Sequence, residues 1–138
     1  MQNDKKSIKF TLLALFYELL SLNIIENHPV QNTTKISDEY IEYATLYIKS
    51  NYSEPITPTD VAKSINLNTN YLCRLFKSKL NKSIKEYITE YRIHVAQKLL
   101  LNTNLSISNI AQTVGYNDQL YFSQVFKKRC FYTPSEFR

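Results

Sequence analysis

Two segments of this 138-residue sequence, "NYLCRLFKSK" (Asn70–Lys79) and "QLYFSQVFKK" (Gln119–Lys128), carry the side chains best suited to chemistry. Wound at helical spacing, the first puts Leu72, Leu75 and Phe76 on one face and Asn70, Cys73, Arg74 and Lys77 on the other. The second offers Gln119, Leu120, Ser123 and Gln124 in the same way and ends on Lys127 and Lys128. Arginine pairs bidentately with guanine, asparagine or glutamine with adenine, and an apolar tip such as Leu120 can meet a thymine methyl. The expected base-contacting set is therefore Asn70, Cys73, Arg74, Gln119, Leu120, Ser123 and Gln124. Lys77, Lys79, Arg92, Lys127 and Lys128 are the cations expected at phosphate oxygens.

The charge distribution agrees with a polyanionic partner. Residues 1–54 carry five lysines against seven acids, a balance of −2. Residues 55–138 carry twelve Lys and Arg against five acids, a balance of +7. A basic surface of this size is common among ordinary domains, so it weights the reading towards nucleic acid without deciding it.

Other classes are poorly supplied. Two cysteines and two histidines give neither a zinc spacing nor a disulfide framework, so no metal or cofactor is expected and a reducing, cytoplasmic setting fits. The apolar run Lys9–Ile25 is interrupted by Glu18, is short for a membrane span and precedes no small-residue cleavage site. It reads as a protein-buried helix, and no membrane partner is expected.

Positioning falls to helices. One glycine and four prolines in 138 residues, with long stretches free of turn signals, predict an all-α protein of seven or eight helices. A linker is expected over Asn27–Lys35, followed by a helix from about Ser37 to Tyr52 with Ile41, Ala44 and Ile48 on one face. "TPTD" (Thr57–Asp60) places proline just after a cap. "SIKE" (Ser83–Glu86) and "TPSE" (Thr133–Glu136) fit the capping box, in which hydroxyl and carboxylate each satisfy a free backbone N–H. Ser106 is a further cap.

An internal repeat organises these helices. Ala62, Ile65 and Asn66 match Ala111, Val114 and Gly115 at an offset of 49. Leu72, Leu75, Phe76 and Lys77 match Phe122, Val125, Phe126 and Lys127 at an offset of 50, and Glu86 and Tyr87 match Glu136 and Phe137. Each copy reads as a short helix, a tight turn and a longer helix. The small Ala62 or Ala111 permits a close crossing, and Asn66 or Gly115 supplies the left-handed turn residue. Gly115, the sole glycine, thus marks the turn of a helix-turn-helix. Asn68 and Asn117 are the expected caps of the second helices.

The residues from about Ile36 to Arg138 resemble the DNA-binding domain of the AraC/XylS family of bacterial transcription regulators. The resemblance is most specific in "IAQTVGYNDQLYFSQVFKKRCFYTPSEFR" (Ile110–Arg138), through Ile110-Ala111, Val114-Gly115-Tyr116, Phe122-Ser123, Phe126-Lys127-Lys128 and Thr133-Pro134-Ser135. It implies two helix-turn-helix subdomains, at about 57–81 and 106–131, joined by a long central helix at about 83–102, within a domain over 36–138. It also implies a bacterial transcription regulator, such as an activator, without catalytic activity, with double-stranded DNA as partner and RNA polymerase as a second one. Three departures stand out. Asn81 replaces the family's glycine after the first recognition helix, Phe131 replaces it after the second, and Gln124 stands where arginine is frequent. A left-handed Phe131 would be strained, so the second helix is expected to end differently from the first.

Residues 1–35 are the expected N-terminal apolar helix and linker, a remnant of a sensor or pairing region. Ile8, Leu12, Leu15, Leu19 and Leu22 form one stripe, and Phe10, Leu13, Tyr17, Leu20 and Ile24 a second, more than one partner surface covers. Pairing of two chains through residues 4–27 follows. Two other classes compete with DNA reading. One is a helical module that binds an acidic protein, and the other a repair-associated domain using Cys73 as a methyl acceptor.

Overall fold

The computed structural model describes residues 31–138, with side chains from Lys35 onward. The chain divides after Ser37, and the second unit, Asp38–Arg138, holds both copies of the repeat. Seven helices occur among the described residues: α1 (Gln31–Asn51), α2 (Pro58–Ser64), α3 (Thr69–Leu80), α4 (Ile84–Asn102), α5 (Ile107–Thr113), α6 (Gln119–Cys130) and α7 (Pro134–Phe137). No strand appears among these residues, as the all-α expectation required. The apolar helix over Asp4–Asn27, and pairing through it, lie outside the described residues.

Helix α1 starts at Gln31, six residues before the expected Ser37, so part of the expected linker is helical. Neither proline nor glycine occurs between Pro29 and Pro55, and nothing in that interval breaks the helix. The other starts follow their caps. Thr57, Ser83 and Thr133 close capping boxes with Asp60, Glu86 and Glu136. The Ser106 hydroxyl accepts from the Asn109 N–H, and the Asn68 side chain accepts from the N–H groups of Asn70 and Tyr71. Such caps contribute about 1 kcal/mol each.

One cap is corrected. Helix α6 is capped by Asp118, whose carboxylate accepts from Leu120 and Tyr121, and not by Asn117. The second copy is one residue longer, and the extra residue is Asn117 itself, inserted between the turn and the cap. Asp118 therefore matches Asn68 at an offset of 50.

Both turns close alike. Asn66 (φ 55°) and Gly115 (φ 89°) are left-handed, and the next residue reaches back across the turn. The Leu67 N–H donates to Ala62 O at 2.9 Å, and the Tyr116 N–H donates to Ala111 O at 2.8 Å. Ala62 and Ala111 are fully buried where the helices cross. The ends of α3 and α6 are also alike, which corrects the expectation for Phe131. It adopts φ 66°, next to φ 54° for Asn81, and its N–H donates to Lys127 O at 2.8 Å. Downstream packing forces this turn: Pro134 is buried, and the Phe137 ring meets Phe126 edge-on at 5.4 Å.

Two separate cores result. The first gathers Ile41, Ala44 and Ile48 of α1 with Val61, Ala62, Leu72, Phe76, Ile84 and Ile88. The second gathers Ile93, Ala96 and Leu100 with Ile110, Ala111, Val114, Tyr116, Phe122 and Phe126. Each buried Phe or Ile contributes roughly 1.5–3 kcal/mol of transfer free energy. Helix α4 supplies both cores, its first half to one lobe and its second half to the other. No described helix is long and apolar enough to cross a membrane.

Candidate nucleic-acid interface

Helices α3 and α6 bury themselves in the same pattern. Leu72 and Phe76 are fully buried in α3, and Phe122 and Phe126 take the equivalent places in α6. The flanks match too: Cys73 and Ser123 are half-buried, as are Leu75 and Val125, whereas Arg74, Gln124, Lys77 and Lys127 are exposed. The same anchors fix the same outward face in each lobe, so whatever α3 presents, α6 presents at an offset of 50.

That face contains most of the expected residues. Asn70, Arg74, Gln119, Leu120 and Gln124 are exposed, Leu120 to 75%. Arg74 makes no ion pair among the described residues, which leaves its guanidinium fork for an external acceptor. Cys73 leans further inward than expected and packs on the first core, because it lies one turn from Phe76 along the buried edge. The Ser123 hydroxyl donates to Gln119 O at 2.9 Å, so its hydrogen is used within the helix. Two residues absent from the expected set join the face. Tyr71 and Tyr121 are 41% and 57% exposed on the first turns of α3 and α6. Their identity at an offset of 50 was the available signal.

Four of the five expected phosphate cations lie towards the C-terminal ends of the two helices. Lys77 Nζ donates to Asn81 O at 3.4 Å, a C-terminal cap, and remains exposed. Lys79 pairs with Asp38 at 2.8 Å, an exposed pair worth at most about 1 kcal/mol and readily exchanged for another anion. Lys127 and Lys128 are exposed at the end of α6. Arg92 is placed differently. It is half-buried on α4, and its Nε and Nη2 donate to Tyr52 O and Glu54 O, each at 2.7 Å. Its position between the two cores turns two of its donors inward.

Burial pushes the Tyr116 phenol up, and burial also pushes the Cys130 thiol up, away from the reactive thiolate. No group of three or more His, Cys, Asp or Glu that could hold a metal occurs among the described residues.

Comparison with known proteins decides the family. Residues 61–138, more than half of the chain, match the model of a helix-turn-helix domain family. The solved C-terminal domain of AraT, a response regulator from Geobacillus stearothermophilus, superposes with a TM-score of 0.70 at 37% identity, covering 72% of this chain and 83% of that one. The chain belongs to the AraC/XylS family of DNA-binding helix-turn-helix proteins. The lactose operon transcription activator of Staphylococcus xylosus is 44% identical over 103 residues, 75% of this chain and 37% of that protein. The Msm operon regulatory protein of Streptococcus mutans is 37% identical over 130 residues, 92% of this chain and 46% of its own length. This AraC/XylS chain thus spans less than half the length of both regulators. The resemblance drawn from Ile110–Arg138 is borne out, and so is the two-motif, all-α architecture.

Proposed function

We propose that this chain is the DNA-reading part of a bacterial transcription regulator. It lays α3 and α6 in successive major grooves of one duplex. The observation that carries the reading is the duplicated outward face, with the same anchors, the same exposure and a lysine at the same place in each lobe. In the first groove Arg74 and Asn70 face base edges, with Tyr71 beside them. In the second, Gln124, Leu120 and Gln119 do so, with Ser123 acting through its acceptor lone pairs. Lys77, Lys79, Lys127 and Lys128 then lie along the phosphates. The names of the two operon regulators, a transcription activator and a regulatory protein, support a role in transcription; a cytoplasmic setting at the nucleoid, with RNA polymerase as a second partner, extends the proposal.

Selection of bound duplexes from a random pool, at stated salt, tests this reading. The expected product is a bipartite site with two elements about one helical turn (~34 Å) apart. Binding that unrelated competitor DNA abolishes as readily as the selected site would overturn it. Pairing through residues 4–27 extends the proposal, because two tethered copies capture a doubled site at high effective concentration. Sedimentation checks it: a mass that rises with concentration supports pairing, and a constant monomer mass rejects it.

A further inference from the structure

Helix α4 is the one element that both cores share, and its middle belongs to neither. Ile84 and Ile88 enter the first core and Ile93, Ala96 and Leu100 the second. The four residues between, Thr89 to Arg92, are half-buried and contribute no core side chain. A segment of this length is ~6 Å of bare helical rod. Apart from the Tyr52 ring, which packs on the second core, no apolar core side chain among the described residues spans this stretch, so polar contacts share in holding one lobe against the other.

Two polar braces occupy this junction. Arg92 ties three segments together: it donates to Tyr52 O and Glu54 O in the α1–α2 connection, and its guanidinium lies 5.4 Å from the centroid of the Tyr116 ring. Tyr116 belongs to the second core and follows the turn at Gly115. The Tyr52 ring reinforces the contact, packing on the second core and meeting Tyr91 edge-on at 5.2 Å. Glu90 makes the other brace. Its carboxylate meets Lys82, just after α3, at 2.5 Å and Arg129, in the last turn of α6, at 3.3 Å. Residues two apart on a helix sit ~200° apart around its axis. Arg92 and Glu90 therefore brace the rod from opposite sides, Arg92 joining the α1–α2 connection to Tyr116 and Glu90 joining Lys82 to Arg129.

Half-exposed ion pairs such as those of Glu90 contribute little to stability, so their significance is geometric. A reader with two recognition helices measures the spacing between its two elements only as sharply as the lobes are held. One inserted base pair moves the second element by about 3.4 Å and turns it about 35° around the duplex axis. We infer that Arg92, assisted by Glu90, is a positioning residue that locks the register between α3 and α6 and makes the chain selective for the spacing of a bipartite site. This rests on the DNA-reading proposal above.

The test uses the full chain, the selected duplex and derivatives with one base pair inserted or removed between the elements. The parent chain is expected to lose about tenfold or more in affinity on either change, the scale of one misplaced contact. Arg92→Gln should bind the selected duplex a few-fold more weakly and lose much less on insertion or deletion, with an unchanged slope of affinity against salt. A folded Arg92→Gln that keeps the full spacing penalty overturns the inference. A salt slope reduced by about one also overturns it, because that is the signature of a lost phosphate contact. If Arg92→Gln does not fold, Glu90→Gln decides by the same spacing series, a flattened penalty supporting the brace and a retained one rejecting it. A parent chain that binds its selected site regardless of spacing rejects the brace alone. A parent chain that prefers no sequence rejects DNA reading, and the brace with it.

Discussion

The backbones of Ser53 and Gly115 approach so closely that a methyl carbon on Gly115 would stand 2.7 Å from the Ser53 carbonyl oxygen. The same carbon would lie 3.0 Å from the Arg92 guanidinium. The glycine is thus required twice, by a left-handed turn and by the loop packed over it. Asn66 meets only the first requirement, and it is exposed. Gly115→Asn, which suits the turn, should still destabilise by about 1–3 kcal/mol, whereas Asn66→Gly should stay within about 1 kcal/mol of the parent. Urea unfolding compares them, and equal stabilities would mean that the loop does not press on Gly115.

Phe131 holds φ 66° with its ring 84% exposed. A left-handed side chain costs roughly 1–2 kcal/mol, and this one recovers little by burial. Phe131→Gly should therefore raise stability by about 1 kcal/mol, and Asn81→Phe should lower it by a similar amount. The urea midpoint reads both. A destabilised Phe131→Gly would show that the ring packs on something in solution.

What was legible in the sequence was local. Capping boxes are written within four residues, so Thr57, Ser83 and Thr133 announced the starts of α2, α4 and α7. The turns were legible through Asn66 and Gly115, and the matched outward faces of α3 and α6 through the repeat. Two expectations differ from the structure, for distinct reasons. The sequence alone allows the inserted residue on either side of the turn, so Asn117 and Asp118 compete for the cap that Asp118 holds. Phe131 was expected to avoid a conformation that Pro134 and Phe137 impose from downstream. The charge of Arg92 places it among the expected phosphate cations, and the structure adds partners at Tyr52 and Glu54, 40 and 38 residues away in the chain. No periodicity encodes a contact of that separation.

Acid should unfasten three helix starts together. The Asp60 carboxyl is held below its ordinary pKa by the Thr57 hydroxyl and then the Thr57 N–H. Glu86 and Glu136 are held down by the N–H groups and then the hydroxyls of Ser83 and Thr133. A lowered folded-state pKa means that the stabilisation is complete above the ordinary carboxylate range, about 4, and is lost as pH falls through the folded values. The melting temperature should hold steady from neutral pH down to about 5 and fall below about 4. Asp60→Asn with Glu86→Gln and Glu136→Gln should start lower and fall less steeply. An acid slope equal to the parent's would remove the boxes as the cause.

Arg74 and Lys77 sit three residues apart on α3, yet their chemistry predicts different losses. Arg74 is exposed in the middle of the outward face and can fork onto one guanine, a contact worth ~1–3 kcal/mol of discrimination. Lys77 already caps α3 through Asn81 O and offers a point charge to a phosphate, which every sequence possesses. Arg74→Ala should therefore relax selection at one G·C pair in the first element of the site while barely changing affinity for unrelated DNA. Lys77→Ala should weaken selected and unrelated duplexes alike and reduce the slope of affinity against salt by about one. In the second element Gln124 replaces the forked cation, so Gln124→Ala should relax an A·T position there. Repeating the random-pool selection with each variant separates the three. If Arg74→Ala selects the parent's sequence unchanged, α3 does not present this face to the bases, and the assignment of α6, which rests on the same repeat, fails with it.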